Sequence, residues 1–128
     1  MLRSVLPGEV RTLTTGQEWL VDASGCTPEH LKDPVMLAAL FEELIVTMGL
    51  KVLGQPQWHV FPEPGGVTGL TMLAESHLTI HTFPEHGFAA LNVYCCRTRP
   101  CPDFQALVAR HLGATSCRVR ELARGVGA

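Results

Sequence analysis

Charged side chains are scarce in this sequence, at 17% of residues; aromatic ones are scarcer at 6%, and tyrosine occurs once. Ten basic and twelve acidic residues leave a net charge of −2, so the positive field that recruits nucleic acid or an anionic membrane is missing. Arg118, Arg120 and Arg124 come nearest to a basic cluster, and their spacing fits the solvated side of a last strand. No apolar run reaches the roughly 18–20 residues that span a bilayer. The opening Met1-Leu2-Arg3-Ser4-Val5-Leu6-Pro7 meets a proline before the apolar core of a signal peptide can build. Residues 1–15 are therefore expected to form a flexible arm, residues 16–128 a single domain, and the cytoplasm is the expected compartment.

Five cysteines are present: Cys26, Cys95, Cys96, Cys101 and Cys117. Their odd number and irregular spacing argue against a disulfide framework, and the lack of any C-x-x-C pair argues against a closed zinc site. Reduced thiols are expected. His77 and His81 share a strand face, but no third ligand stands at a fixed spacing from them and His86, so no metal is expected.

What the chain does have is apolar bulk, 46% of 128 residues, enough for one continuous core. Residues 18–24 read as a short strand ending at Gly25. Thr27-Pro28-Glu29 reads as a helix entry, and Leu37, Leu40, Phe41, Leu44, Ile45 and Met48 recur as one helix face that Gly49 closes. Residues 51–61 form an expected second strand, weakened by Gly54 and Pro56, before a turn at 62–66. Residues 67–75 and 76–83 read as two strands meeting with no turn residue between them. A fifth strand covers 88–96, a second helix opens at Pro102-Asp103, and a last strand covers 116–122. That order predicts an α+β, two-layer sandwich: a mostly antiparallel sheet with two helices on one face.

The chemistry-bearing segment is Glu75-Ser76-His77-Leu78-Thr79-Ile80-His81-Thr82-Phe83-Pro84-Glu85-His86-Gly87. A serine beside a carboxylate and close to histidines has the makings of an activated nucleophile. With Gly66-Val67-Thr68-Gly69 upstream and Phe88 through Cys96 downstream, the block resembles the small prokaryotic S-adenosylmethionine decarboxylase proenzymes, which are pyruvoyl-dependent. Leu20-Val21-Asp22 with Gly25-Cys26, and Leu112-Gly113-Ala114 with Val119, Leu122 and Arg124-Gly125, extend the likeness to about nine-tenths of the chain.

The resemblance implies that the chain cuts itself between Glu75 and Ser76. Ser76 would attack the Glu75 carbonyl and become the pyruvoyl group that forms a Schiff base with the substrate. His81 matches the proton acceptor in processing, and Thr68 a small hydroxyl residue that assists it. An imidazole with a pKa near 6.5 suits that transfer. Cys96 matches the proton donor in decarboxylation, which leaves Cys95 a spare buried thiol by strand alternation. Glu85 matches a residue that holds the ribose hydroxyls. Phe61 matches an adenine-stacking aromatic, after allowing one extra residue in the 62–66 turn, and Phe83 stands where tryptophan is more usual.

Ser76 and His81 have opposite strand parity, so the resemblance implies a homodimer, an α/β/β/α assembly with active sites at the interface. The implied activity is that of a lyase matured from a zymogen. It would convert S-adenosylmethionine to the decarboxylated aminopropyl donor for spermidine and other polyamines. Two other readings stay open: the same pyruvoyl machinery acting on arginine or ornithine, and an uncleaved, non-catalytic paralogue serving as a scaffold subunit. Residues 97–102, an insertion carrying proline and arginine, follow the catalytic block.

Overall fold

The computed structural model describes residues 2–3 and 15–125. In chain order the elements are β1 (Leu2–Arg3), β2 (Gly16–Ser24), α1 (Pro28–Leu31), α2 (Pro34–Met48), β3 (Gln57–Val60), β4 (Val67–Leu73), β5 (Ser76–Phe83), a 3-10 turn (Pro84–His86), β6 (Phe88–Cys95), α3 (Phe104–Leu112) and β7 (Ser116–Arg124). The strands form one seven-stranded sheet in the order β1-β7-β2-β6-β5-β4-β3, each neighbour antiparallel to the next.

The α+β expectation holds because the strands alternate. Trp19, Val21 and Ala23 of β2, Leu78 and Ile80 of β5, and Leu91 and Val93 of β6 are buried, and they share one core with Leu37, Leu40, Phe41 and Leu44 of α2 and Phe104, Leu107 and Val108 of α3. The intervening residues point to the opposite face. Leu70 and Met72 are exposed there, and Glu18, Asn92 and Thr79 are half-buried.

Two elements differ most from expectation, and other strand ends shift by one or two residues. The first expected helix is two. α1 ends at Leu31, and Asp33 then caps α2 by accepting a hydrogen bond from the Val35 amide at 2.9 Å, with Pro34 in the first turn. The strand expected over 51–61 shrinks to Gln57–Val60, because Gly54 adopts φ +74 and Pro56 has no amide to give a ladder; Val52 makes an isolated bridge to Leu73. Trp58 of β3 lies over Gly69 of β4, where a Cβ would meet the indole ring at 2.1 Å. Of the expected arm, Leu2 and Arg3 pair with Leu122 and Glu121; residues 4–14 lie outside the described residues.

β4 and β5 are joined by Ala74 and Glu75 alone, with Leu73↔Ser76 as the closing pair. No described residue other than glycine has a positive φ, so this hairpin does without the mirror-image turn that asparagine or glycine serves. That is why the sequence shows no turn signal here.

Candidate active site

The hairpin places the Glu75–Ser76 amide at the end of β6, where three consecutive residues meet it. Cys95 is the register partner of Ser76, and its Sγ donates to the Ser76 Oγ at 3.4 Å. Burial raises the Cys95 pKa, which keeps it a thiol and therefore a donor. The Cys96 backbone amide donates to the Glu75 carbonyl oxygen at 2.7 Å. The Arg97 Nε donates to the Glu75 carboxylate. Strand alternation sends the Cys95 side chain into the core and leaves Cys96 exposed, as expected. Cys95 is nonetheless not a spare group, since it touches the serine hydroxyl. The sequence reading gave neither Cys95 nor Arg97 a role, because only the β5–β6 register brings them to the Glu75–Ser76 amide.

A second group of expected site residues gathers elsewhere. Thr68 and His81 are register partners on the open face of β4 and β5, and Thr68 Oγ1 lies 3.0 Å from His81 Nδ1. Together with Phe61, Phe83 and Glu85 they line one cavity of about 300 Å³. Two features of the 62–66 turn bring Phe61 to this wall. Its amide donates to the Gly66 carbonyl at 2.9 Å, and Gly66 packs so tightly that a Cβ would sit 2.6 Å from the Thr82 carbonyl oxygen. Glu85 is exposed in the 3-10 turn at the rim. His59, missed by the sequence reading, packs edge-on against Phe61 with ring centroids 4.5 Å apart.

The two groups do not meet within one chain. Ser76 and His81 are five positions apart on an extended strand, about 17 Å at the usual rise, and their parities differ. Beside Ser76 lies a wider depression of about 570 Å³, lined by Leu70, Met72, Leu73, His77 and Thr79. Next to it the open face carries a polar chain. His77 Nε2 lies 3.3 Å from Asn92 Oδ1, Asn92 donates to Glu18 at 2.8 Å, and Arg124 donates to Glu18 at 2.6 Å. Arg120 donates to Asp22 at 2.7 Å nearby. Among the described residues no three His, Cys, Asp or Glu side chains gather as metal ligands, and no helix is long and apolar enough to cross a membrane.

The family model described as S-adenosylmethionine decarboxylase matches residues 17–125. The chain belongs to that family. An S-adenosylmethionine decarboxylase proenzyme 2 of Halalkalibacterium halodurans is 36% identical over 115 residues, covering 89% of each chain. A family proenzyme of Pyrococcus furiosus is 34% identical over 114 residues, covering 88% of this chain and 81% of that one. Among solved structures, the adenosylmethionine decarboxylase of Aquifex aeolicus superposes with a TM-score of 0.71 at 25% identity, over 91% of this chain and 96% of that one. Membership of this decarboxylase family makes the chain an enzyme of the carboxy-lyase class, and the single antiparallel sheet with helices on one face is the fold it shares with the Aquifex protein.

Proposed function

We propose that this chain is a proenzyme that cuts itself between Glu75 and Ser76 and then decarboxylates S-adenosylmethionine, supplying the aminopropyl donor for spermidine and other polyamines. The observation that carries the reading is the Cys96 amide, 2.7 Å from the Glu75 carbonyl oxygen. A fixed donor at the oxygen where negative charge develops is worth about 10²–10³ in rate in acyl transfer. In the first step the Ser76 Oγ bonds to the Glu75 carbonyl carbon, the C–N bond breaks, and the hydroxyl proton ends on the freed amine. A base then removes the Cα proton of residue 76, and the Cβ–Oγ bond breaks to release the Glu75 carboxylate. Water displaces ammonia and leaves a ketone at the head of residues 76–128.

The residues around Ser76 fit such a pyruvoyl group. Cys95 meets the Ser76 hydroxyl before cleavage, and the Cys96 thiol, exposed one residue further on, is free to return a proton to the substrate's α-carbon. The group supplies an electron sink for loss of carbon dioxide from an amino acid. Substrate recognition falls to the other cavity. Phe61 and Phe83 offer aromatic faces for a purine and a sulfonium cation, and Glu85 offers two oxygens for a pair of ribose hydroxyls. That lining favours a nucleoside-bearing substrate over arginine or ornithine. His81, oriented by Thr68, is the base, and it reaches Ser76 from a second copy of the chain. The protein is therefore a homodimer with active sites at the interface between its two copies. The free thiols of Cys26, Cys95, Cys96 and Cys117 fit a reducing compartment, the cytoplasm.

Intact mass spectrometry tests the reading. Two fragments, residues 1–75 and a ketone-headed 76–128, are expected, with an uncut Ser76→Ala variant. Release of labelled carbon dioxide is expected from S-adenosylmethionine and from neither arginine nor ornithine. An active preparation consisting of the whole 13.9 kDa chain refutes self-cleavage.

A further inference from the structure

Glu75 is gripped at two points from neighbouring positions of one segment. Its carbonyl oxygen accepts from the Cys96 amide, and its carboxylate accepts from Arg97 Nε. Between them these contacts hold the peptide plane that Ser76 must attack, and the second also neutralises the charge nearest to it.

We propose that Arg97 is a positioning residue for self-cleavage, acting through the Glu75 carboxylate; this rests on the self-cleavage reading above. Attack on the Glu75 carbonyl places a negative charge on its oxygen. The Glu75 carboxylate belongs to the same residue, so without a cation it opposes that charge across a few bonds. Arg97 supplies the cation from the residue after the amide that receives the oxyanion. The arrangement comes from chain direction: β6 ends at Cys95, the next amide turns toward the Glu75 carbonyl, and the following side chain reaches the turn. Arg97 thereby gives the start of the 97–102 insertion a use.

The size of the effect follows from exposure. The Arg97 and Glu75 side chains are 70% and 40% exposed, so water and salt screen the pair, and a contribution of about two- to fivefold in rate is expected.

The test is a time course of fragment appearance, followed by intact mass on freshly synthesised full-length chain. Arg97→Ala is expected to slow cleavage about two- to fivefold, and Arg97→Lys to retain most of the wild-type rate. The decisive variant is the double substitution Arg97→Ala with Glu75→Gln. Removing the stranded carboxylate should make it faster than Arg97→Ala alone, and raised salt should narrow the gap between wild type and Arg97→Ala. A structural role for Arg97 would give no such charge rescue. Arg97→Ala cutting at the wild-type rate, or a double variant no faster than Arg97→Ala, overturns the inference and leaves the parent reading intact. A wild-type chain that never cuts overturns both.

Discussion

Mixing two variants expected to be inactive probes the proposed shared site directly. Ser76→Ala retains His81 but removes the proposed attacking hydroxyl; His81→Ala retains the hydroxyl but removes the proposed base. Within a chain the two side chains lie about 17 Å apart by strand rise, with opposite parity, whereas proton transfer needs roughly 3 Å or one bridging water. Neither variant should therefore cut itself alone. In the proposed mixed dimer, Ser76 of the His81→Ala chain would face the intact His81 of the other copy, and that one site would be complete. Co-expression at equal levels with random pairing puts about half of each variant in mixed dimers, so about half of the His81→Ala chains and none of the Ser76→Ala chains should be cut. Distinct affinity tags and intact mass read the two populations separately. If mixed dimers are purified by both tags and stay whole, the base does not cross the interface. If His81→Ala cuts unaided, His81 is not the base.

Three further outcomes follow from the same contacts. Leu78 is fully buried between the sheet and its helices, so Leu78→Ala should lower unfolding stability by about 2–5 kcal/mol in urea titration. Burial pushes Cys26 and Cys117 up to about 11, and Cys95 is raised as well. Iodoacetamide at pH 8 should therefore label exposed Cys96 well before those three, as read by peptide mass mapping. Hydrogen bonds from His111 and then Arg110 lower the Glu43 pKa below its ordinary 4.5. A lowered folded value gives stability that is present above 4.5 and lost as pH falls through the folded value. The stability gap between wild type and Glu43→Gln should accordingly close in acid, measured as denaturation midpoints across pH.

Much of the fold was legible because it rests on local periodicity. The 76–83 strand was placed to the residue, and the helix face from Leu37 to Met48 is the buried face observed. The errors fall where one residue's geometry overrides pattern: Asp33 and Pro34 restart a helix, and Gly54 and Pro56 deny β3 its first half. The turn at Ala74–Glu75 was invisible because an ordinary-φ hairpin needs no special residue.

For the site, the sequence by itself determined the chemical inventory: a serine after a glutamate, the histidine five residues on, a following cysteine pair, and the family to which they belong. These are short-range facts, carried by order along the chain. Tertiary structure alone decided which groups touch. Antiparallel register set Cys95 on the Ser76 hydroxyl, the Cys96 amide on the Glu75 carbonyl and Thr68 on His81. The same register drew Phe61, Phe83 and Glu85 to one cavity and held that cavity apart from Ser76. Pairing between strands joins residues far apart in sequence, and no local pattern of side chains encodes which of them will face one another.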